Sequence, residues 1–271
     1  MYRISLLFIF SVSLLSCSNK LTKTLKSTDS EYKLKVGENY YAQKQYDKAQ
    51  IIFEDLFPVF KGTAKFEDLY YKYAFTQYYL KDYLSAENLF KTFVETFPTS
   101  GKAEEADFMR ANCYYKQSPK VELDQTNTAK TIGQLQAFIN NHPLSARVPE
   151  ATAMMDESRR KLEEKDYGSA LLYFNLGFYK ASAISFKSLM ENYPDSYKSD
   201  EYQLMVIKSY YLYANNSIEE RQDERYEKVI GECIEFTDRF PESKLLKTVE
   251  NYKSQSLNNK NNKNDQIKKA A

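Results

Sequence analysis

An aromatic residue, a small residue three positions later and an aromatic four after that recur along this chain. The recurrence limits the folds open to it. The spacing reads Tyr46-Ala49-Phe53, Tyr83-Ala86-Phe90 and Tyr179-Ser182-Phe186. A looser copy is Tyr226, Val229, Cys233 and Phe236, and a weaker one Thr128, Thr131, Leu135 and Phe138. Steps of three and four put such residues on one face of an α-helix. In four copies a proline stands 15 positions after the first residue: Pro98, Pro143, Pro194 and Pro241. Phe, His or Tyr precedes each one, and Ser follows two positions later. A proline removes an amide donor and pushes the residue before it out of the helical region, so each one ends a helix. The first copy is expected to end early, at Pro58.

A second helix precedes each of these. Gly37 lies twelve positions ahead of Ala49, Ala74 ahead of Ala86, and Ala170 ahead of Ser182. Small residues at matching positions let two antiparallel helices approach closely. One such pair cannot bury its apolar face alone and must stack on neighbours. The spacing predicts an all-α, tetratricopeptide-like solenoid, an α-α superhelix of about five helix-turn-helix units. The pairs are expected at 31–57, 66–96, 102–140, 146–192 and 200–239. Successive copies step by 37, 45, 51 and 47 residues. These exceed the tetratricopeptide length of about 34. The excess is expected in longer helices or in connections such as Thr99–Ala103 and Asn215–Asp223.

The ends of the chain read differently. Residues 1–16 carry Arg3 and then an apolar run, Ile4 to Leu15, broken only by serines. The run is shorter than the roughly 20 residues a lasting membrane span needs, so it reads as a secretory signal. Leu14-Leu15-Ser16-Cys17 has the form of a lipobox, which makes Cys17 the expected lipidation site. Residues 17–30 then read as a lipidated tether, and 31–249 as the solenoid. Residues 250–271 hold five lysines and little that could pack, and are expected to be a disordered basic tail. The other cysteines, Cys113 and Cys233, fall in apolar helical stretches and are expected to be buried, unpaired thiols.

Chemistry is hard to find. The single histidine, His142, precedes Pro143 at a helix end, where a capping role fits better than catalysis. There is no glycine-rich phosphate loop, no HExxH and no serine elbow. A net charge of +1 demands no nucleic-acid partner. The chain is therefore expected to be a non-enzyme that uses no cofactor or metal and works by binding proteins. Its 24 tyrosines suit half-exposed groove walls, each having an apolar body and a polar tip. The groove candidates are Tyr41, Tyr71, Phe75 and Tyr78, with Tyr40 and Phe75 leaning to the core and Tyr70 and Tyr79 adding to the N-terminal aromatic excess. The last unit instead carries Glu219-Glu220-Arg221-Gln222-Asp223-Glu224-Arg225. Arg221, Arg225 and Tyr226 are the partner-interface candidates there, since guanidinium groups pair bidentately with carboxylates. A merely solvated charged loop is the alternative.

Further residues carry a family likeness. Besides the lipobox they are Gly37 with Tyr46-Asp47-Lys48-Ala49, Phe66-Glu67-Asp68-Leu69-Tyr70, and Arg159-Arg160-Lys161-Leu162 through Tyr173-Phe174. Tyr179-Lys180-Ala181-Ser182-Ala183 and Tyr193-Pro194-Asp195-Ser196 follow, then Ala214-Asn215-Asn216-Ser217 to Glu224-Arg225-Tyr226. In these the chain resembles the BamD family of outer-membrane β-barrel assembly lipoproteins, in a Bacteroidota-like form. The third unit, with Thr131 and Leu135 at the small and aromatic positions, departs from the pattern. The resemblance implies a lipid-anchored scaffold on the periplasmic face of the outer membrane. It implies C-terminal units that hold the last POTRA domain of a BamA-like barrel subunit, and an N-terminal groove that meets unfolded barrel proteins. Accessory lipoproteins are further partners it implies. Two other readings stay open: a lipid-anchored adaptor for secretion or cell-wall enzymes, and a nutrient-uptake lipoprotein. The absence of tryptophan, common in sugar sites, counts against the last.

Overall fold

The computed structural model describes residues 20–270, with side chains through residue 261. Cys17 and the signal segment lie outside the described residues. Every regular element described is helical. A short helical stretch at 20–25 precedes α1 (Ser30–Ala42), α2 (Tyr46–Phe60), α3 (Lys65–Tyr79), α4 (Tyr83–Thr96), α5 (Ala103–Gln117) and α6 (Thr126–Asn141). Then come α7 (Val148–Asn175), α8 (Tyr179–Asn192), α9 (Ser199–Asn215), α10 (Glu219–Arg239) and α11 (Leu246–Ala270). The chain divides into two compact units, one through Arg159 and one from Arg160, so the boundary falls inside α7. The five expected pairs are α1–α2, α3–α4, α5–α6, α7–α8 and α9–α10.

The repeated face is the core. Ala49, Phe53, Ala86, Phe90, Ser182 and Phe186 have no exposed surface. The weak third copy serves the same way, with Thr128, Thr131, Leu135 and Phe138 buried. Thr131 tolerates this because its hydroxyl donates to the Asn127 carbonyl at 2.8 Å, so no polar group is stranded. The constant offset of twelve residues comes from a shared turn. Lys44, Lys81 and Gly177 all take left-handed φ, +58°, +66° and +79°. Around each, the next amide reaches back five residues: Gln45 to Tyr40, Asp82 to Gln77, and Phe178 to Tyr173. This is the Schellman closure of a helix C-terminus.

The Pro-x-Ser sequences have an equally uniform use. Phe97, His142, Tyr193 and Phe240 all sit near φ −126° to −129° and ψ 57° to 64°, stopping their helices before the proline. Each following serine does two things. Its hydroxyl accepts the amide two residues on, at 3.0–3.2 Å in all four. It also donates to a carboxylate on an earlier helix: Ser100 to Glu67 at 2.6 Å, Ser145 to Glu104 at 2.5 Å, Ser196 to Glu163, and Ser243 to Asp200 at 2.6 Å. Pro58 behaves otherwise. It lies within α2, which continues to Phe60. There it withholds the amide that would donate to the Glu54 carbonyl one turn earlier.

In unit 1, neighbouring first helices are tied at the tetratricopeptide interval. Glu31 and Lys65, Glu38 and Lys72, Asp68 and Lys102, and Tyr71 and Glu105 are each 34 residues apart. The next step is 42, seen in Glu105 with Arg147 and Tyr115 with Glu157. Residues 118–125, between α5 and α6, make the difference. The extra length therefore lies in that loop and in the long α7 and α10. Thr99–Ala103 and Asn215–Asp223 do not hold it, and the charged run from Glu219 forms the first turns of α10.

Two further expectations fail. Residues 250–261 are not disordered: they belong to α11, which packs on unit 2. Val249 and Ser256 are buried, and Tyr252 sits 5.2 Å from Tyr211 between ring centroids. The Asn259 amide donates to the Tyr226 hydroxyl at 3.1 Å, and Lys260 pairs with Glu227. A last repeat leaves an apolar face open, and a capping helix covers it. The tether is likewise partly packed, with Thr24 buried and Leu21 and Leu25 against the Ile52–Phe53 core.

Candidate protein-binding surfaces

In unit 1, helices α1 and α3 end in tyrosine pairs and the helices after them begin with one. The Schellman turns bring these ends together. Tyr46 and Tyr79 stack at 4.6 Å with 20° between planes. Tyr41 lies edge-on to Tyr46 at 5.6 Å and 6.4 Å from Tyr79. Tyr78 meets Tyr79 at 5.7 Å and Tyr83 at 5.4 Å. Tyr79 is 45 % exposed and Leu84 71 %, while Tyr41, Tyr46, Tyr78 and Tyr83 are half-buried. The result is a continuous aromatic surface along the turn edge of the first two pairs.

Of the four groove candidates, Tyr41 and Tyr78 belong to this surface. Phe75 does not. It is 8 % exposed and packs edge-on against Phe90 at 5.0 Å, so it supports the surface from the core. Tyr71 lies half-buried beside Phe93, with its hydroxyl donating to Glu105 at 2.6 Å and Lys102 over its ring at 5.2 Å. Burial and the Glu105 carboxylate push that hydroxyl well above the ordinary tyrosine range. Tyr71 is thus committed to holding α3 against α5. Tyr46, Tyr79 and Tyr83 are the aromatic members not put forward as groove candidates. The signal was present, because Tyr46 and Tyr83 open their repeat copies one turn after an aromatic pair.

In unit 2, α8, α9 and α10 form a basic cleft of 280 Å³ with Lys180, Tyr210, Tyr213, Arg221, Glu224, Arg225 and Lys228 on its walls. The Arg225 guanidinium lies 3.9 Å from the Tyr213 ring centroid and also donates to the Ser217 hydroxyl. Lys228 sits 4.4 Å from the Tyr210 ring. These rings hold the cations in place by attraction to the π face. Arg221 is 62 % exposed and meets Glu224 at 3.4 Å, a weak surface pair that leaves it available. Tyr226, the third candidate, is 5 % exposed and donates to Asn215 at 2.5 Å. It is an anchor for α11 and lies outside the contact surface.

Two thiols and one imidazole remain among the described residues. Cys113 and Cys233 are buried and unpaired as expected, and burial pushes each thiol up to about 12. His142 Nε2 lies 3.1 Å from Asp107 at the end of α6. Among the described residues no group of carboxylate, histidine and cysteine side chains is arranged to hold a metal. No described helix is long and apolar enough to cross a membrane.

A family model described as YfiO, outer membrane lipoprotein, matches residues 27–226. A protein of Aquifex aeolicus named as outer membrane protein assembly factor BamD is 25 % identical over 222 residues, spanning 82 % of this chain and 70 % of that one. The outer membrane protein assembly factor BamD of Caulobacter vibrioides is 22 % identical over 118 residues, 44 % of this chain and 39 % of its own. Overlay on a thermophilic TPR protein of Thermus thermophilus covers 84 % of this chain and 99 % of that one, at 17 % identity and a TM-score of 0.33. The complex of the yeast Sti1 TPR2AB domain covers 84 % and 98 %, at 13 % identity and 0.40. Scores that low carry no weight beside the helix pairing described above.

Proposed function

The chain belongs to the YfiO family of outer membrane lipoproteins, and from that premise we propose that it is a non-catalytic scaffold of the machinery that assembles β-barrel proteins in the outer membrane. The family match over residues 27–226, reinforced by relatives named as assembly factors, is the observation that carries the reading. In this proposal the chain is held at the periplasmic face by lipid on Cys17. Several acyl chains anchor firmly where one does not. The aromatic surface of Tyr41, Tyr46, Tyr78 and Tyr79 receives segments of unfolded barrel proteins. Stacked rings accept aromatic and apolar side chains with little demand for sequence, which suits many clients. The basic cleft of Arg221, Arg225, Lys228 and Lys180 receives the periplasmic POTRA region of a BamA-like barrel subunit. Fixed charges select one register, which suits a permanent partner.

The test is co-purification from detergent-solubilised membranes with the full chain as bait. A BamA-like barrel protein is the expected partner. Recovery of a cell-wall hydrolase or a secretion component in its place would overturn the reading. Cys17→Ser should move the protein out of the detergent phase, and unchanged partitioning would remove the lipid anchor from the proposal.

A further inference from the structure

Helices α8, α9 and α10 also enclose a second cleft of 310 Å³, whose lining differs in kind from that of the basic cleft. Two of its polar residues are almost wholly buried: Gln203 at 1 % exposure and Glu232 at 4 %. Glu232 Oε1 accepts from Lys187 Nζ at 2.5 Å. Its Oε2 is buried without a partner, and so is Gln203 Oε1. Native interiors keep few such orphans, because a buried acceptor loses its hydration and regains nothing. Two such acceptors lining one cleft make it suited to a hydrogen-bond donor.

The charges point the same way. Three carboxylates line the cleft, Glu191, Glu232 and Glu235, against two cations, Lys187 and Arg239. One negative charge is left over. Met190 and Val206 supply an apolar wall beside the acceptors. A matching ligand therefore brings a positive charge, at least two N–H donors and an aliphatic stem. We propose that this cleft binds a basic side chain of a partner polypeptide, an arginine in preference to a lysine. A guanidinium holds five N–H donors in a rigid plane and can donate to two acceptors at once, whereas an ammonium is a compact point donor. The methylenes of the arginine lie along Met190 and Val206 while the head reaches the buried oxygens.

The full chain is titrated with N-acetyl-arginine methylamide, with the lysine analogue, and with the citrulline analogue, which has the same shape but no charge. Chemical shifts of the Gln203 side-chain amide are the readout. The arginine probe should give a saturable shift, the lysine probe a weaker one, and the citrulline probe at least a tenfold weaker one. Glu232→Gln and Gln203→Met should each weaken arginine binding at least tenfold with helicity unchanged. A flat Gln203 signal with the arginine probe overturns the proposal, as does equal binding of citrulline. The citrulline comparison needs no variant, so the test stands even if a substitution unfolds the protein.

Discussion

A β-carbon on Gly37 would stand 2.9 Å from Cε1 of Phe53 and 3.0 Å from Cγ2 of Ile52. Phe53 and Ile52 are both fully buried, so neither can swing away. Gly37 is thus a contact position of the first pair, matching Ala74 in the second. Gly37→Ala should cost about 1–3 kcal/mol by overpacking. Gly133, inside α6 with no atom within 4 Å of its would-be β-carbon, is the control. Gly133→Ala should stabilise by about 0.5–1 kcal/mol by lowering the entropy lost on helix formation. Urea unfolding of the two variants should move the midpoint in opposite directions. Equal midpoints would show that the close approach at Gly37 relaxes freely.

The C-terminal helix should behave as part of the fold. Tyr252→Ala removes a half-buried ring packed against Tyr211 and should cost about 1–2 kcal/mol, less than a fully buried aromatic would. Deleting residues 250–271 removes the covered seats of Tyr252, Ser256 and Asn259 and should lower the melting temperature by several degrees. Thermal melts followed by circular dichroism decide it. A truncated chain that melts with the full one would mean that α11 adds nothing to unit 2.

The two surfaces should be separable. Tyr46→Ala with Tyr79→Ala should weaken binding of a barrel-protein C-terminal peptide about tenfold, close to 1.4 kcal/mol, while sparing the assembly partner. Arg221→Glu with Arg225→Glu should do the reverse and should steepen no salt dependence of peptide binding. Anisotropy with a labelled peptide and co-purification of the partner read the two arms. Loss of both partners in both variants, at full helicity, would show a single shared surface.

Alkaline pH should unfold the protein through its tyrosines. Burial lifts the hydroxyls of Tyr41 and Tyr71 well above their ordinary range. The Glu157 carboxylate, with some burial, pushes Tyr115 up to about 12. A group whose folded pKa is raised binds its proton more tightly when folded. Its contribution is therefore complete below about pH 10, where unfolded tyrosines ionise, and is lost as pH rises through the folded values. Melting temperature should hold up to about pH 10 and then fall. In Tyr71→Phe the fall should be shallower. A flat melting temperature across that range would show that these hydroxyls titrate alike in both states.

Much of this was legible from residue order alone. The aromatic-small-aromatic spacing with its trailing proline placed five helix pairs within a few residues of their observed bounds, because that pattern depends only on helical period and backbone sterics. It also marked the buried face, down to Thr128 and Thr131 in the weakest copy. Tyr41 and Tyr78 stood out as groove candidates from their place on the first helices of the first two pairs. What residue order could not decide were properties of neighbours in space. Phe75 and Tyr71 have the same composition and period as Tyr78, yet Phe90 buries one and Glu105 engages the other. The tail from Asn251 is polar enough to read as disordered, but a long helix needs only Val249, Tyr252 and Ser256 on one side to cap an open repeat. The Pro-x-Ser sequences announced a turn without naming the carboxylates that Ser100, Ser145, Ser196 and Ser243 would reach. Local spacing is set by the chain's own stereochemistry. Which groups meet across helices is set by packing, and only the tertiary structure holds that information.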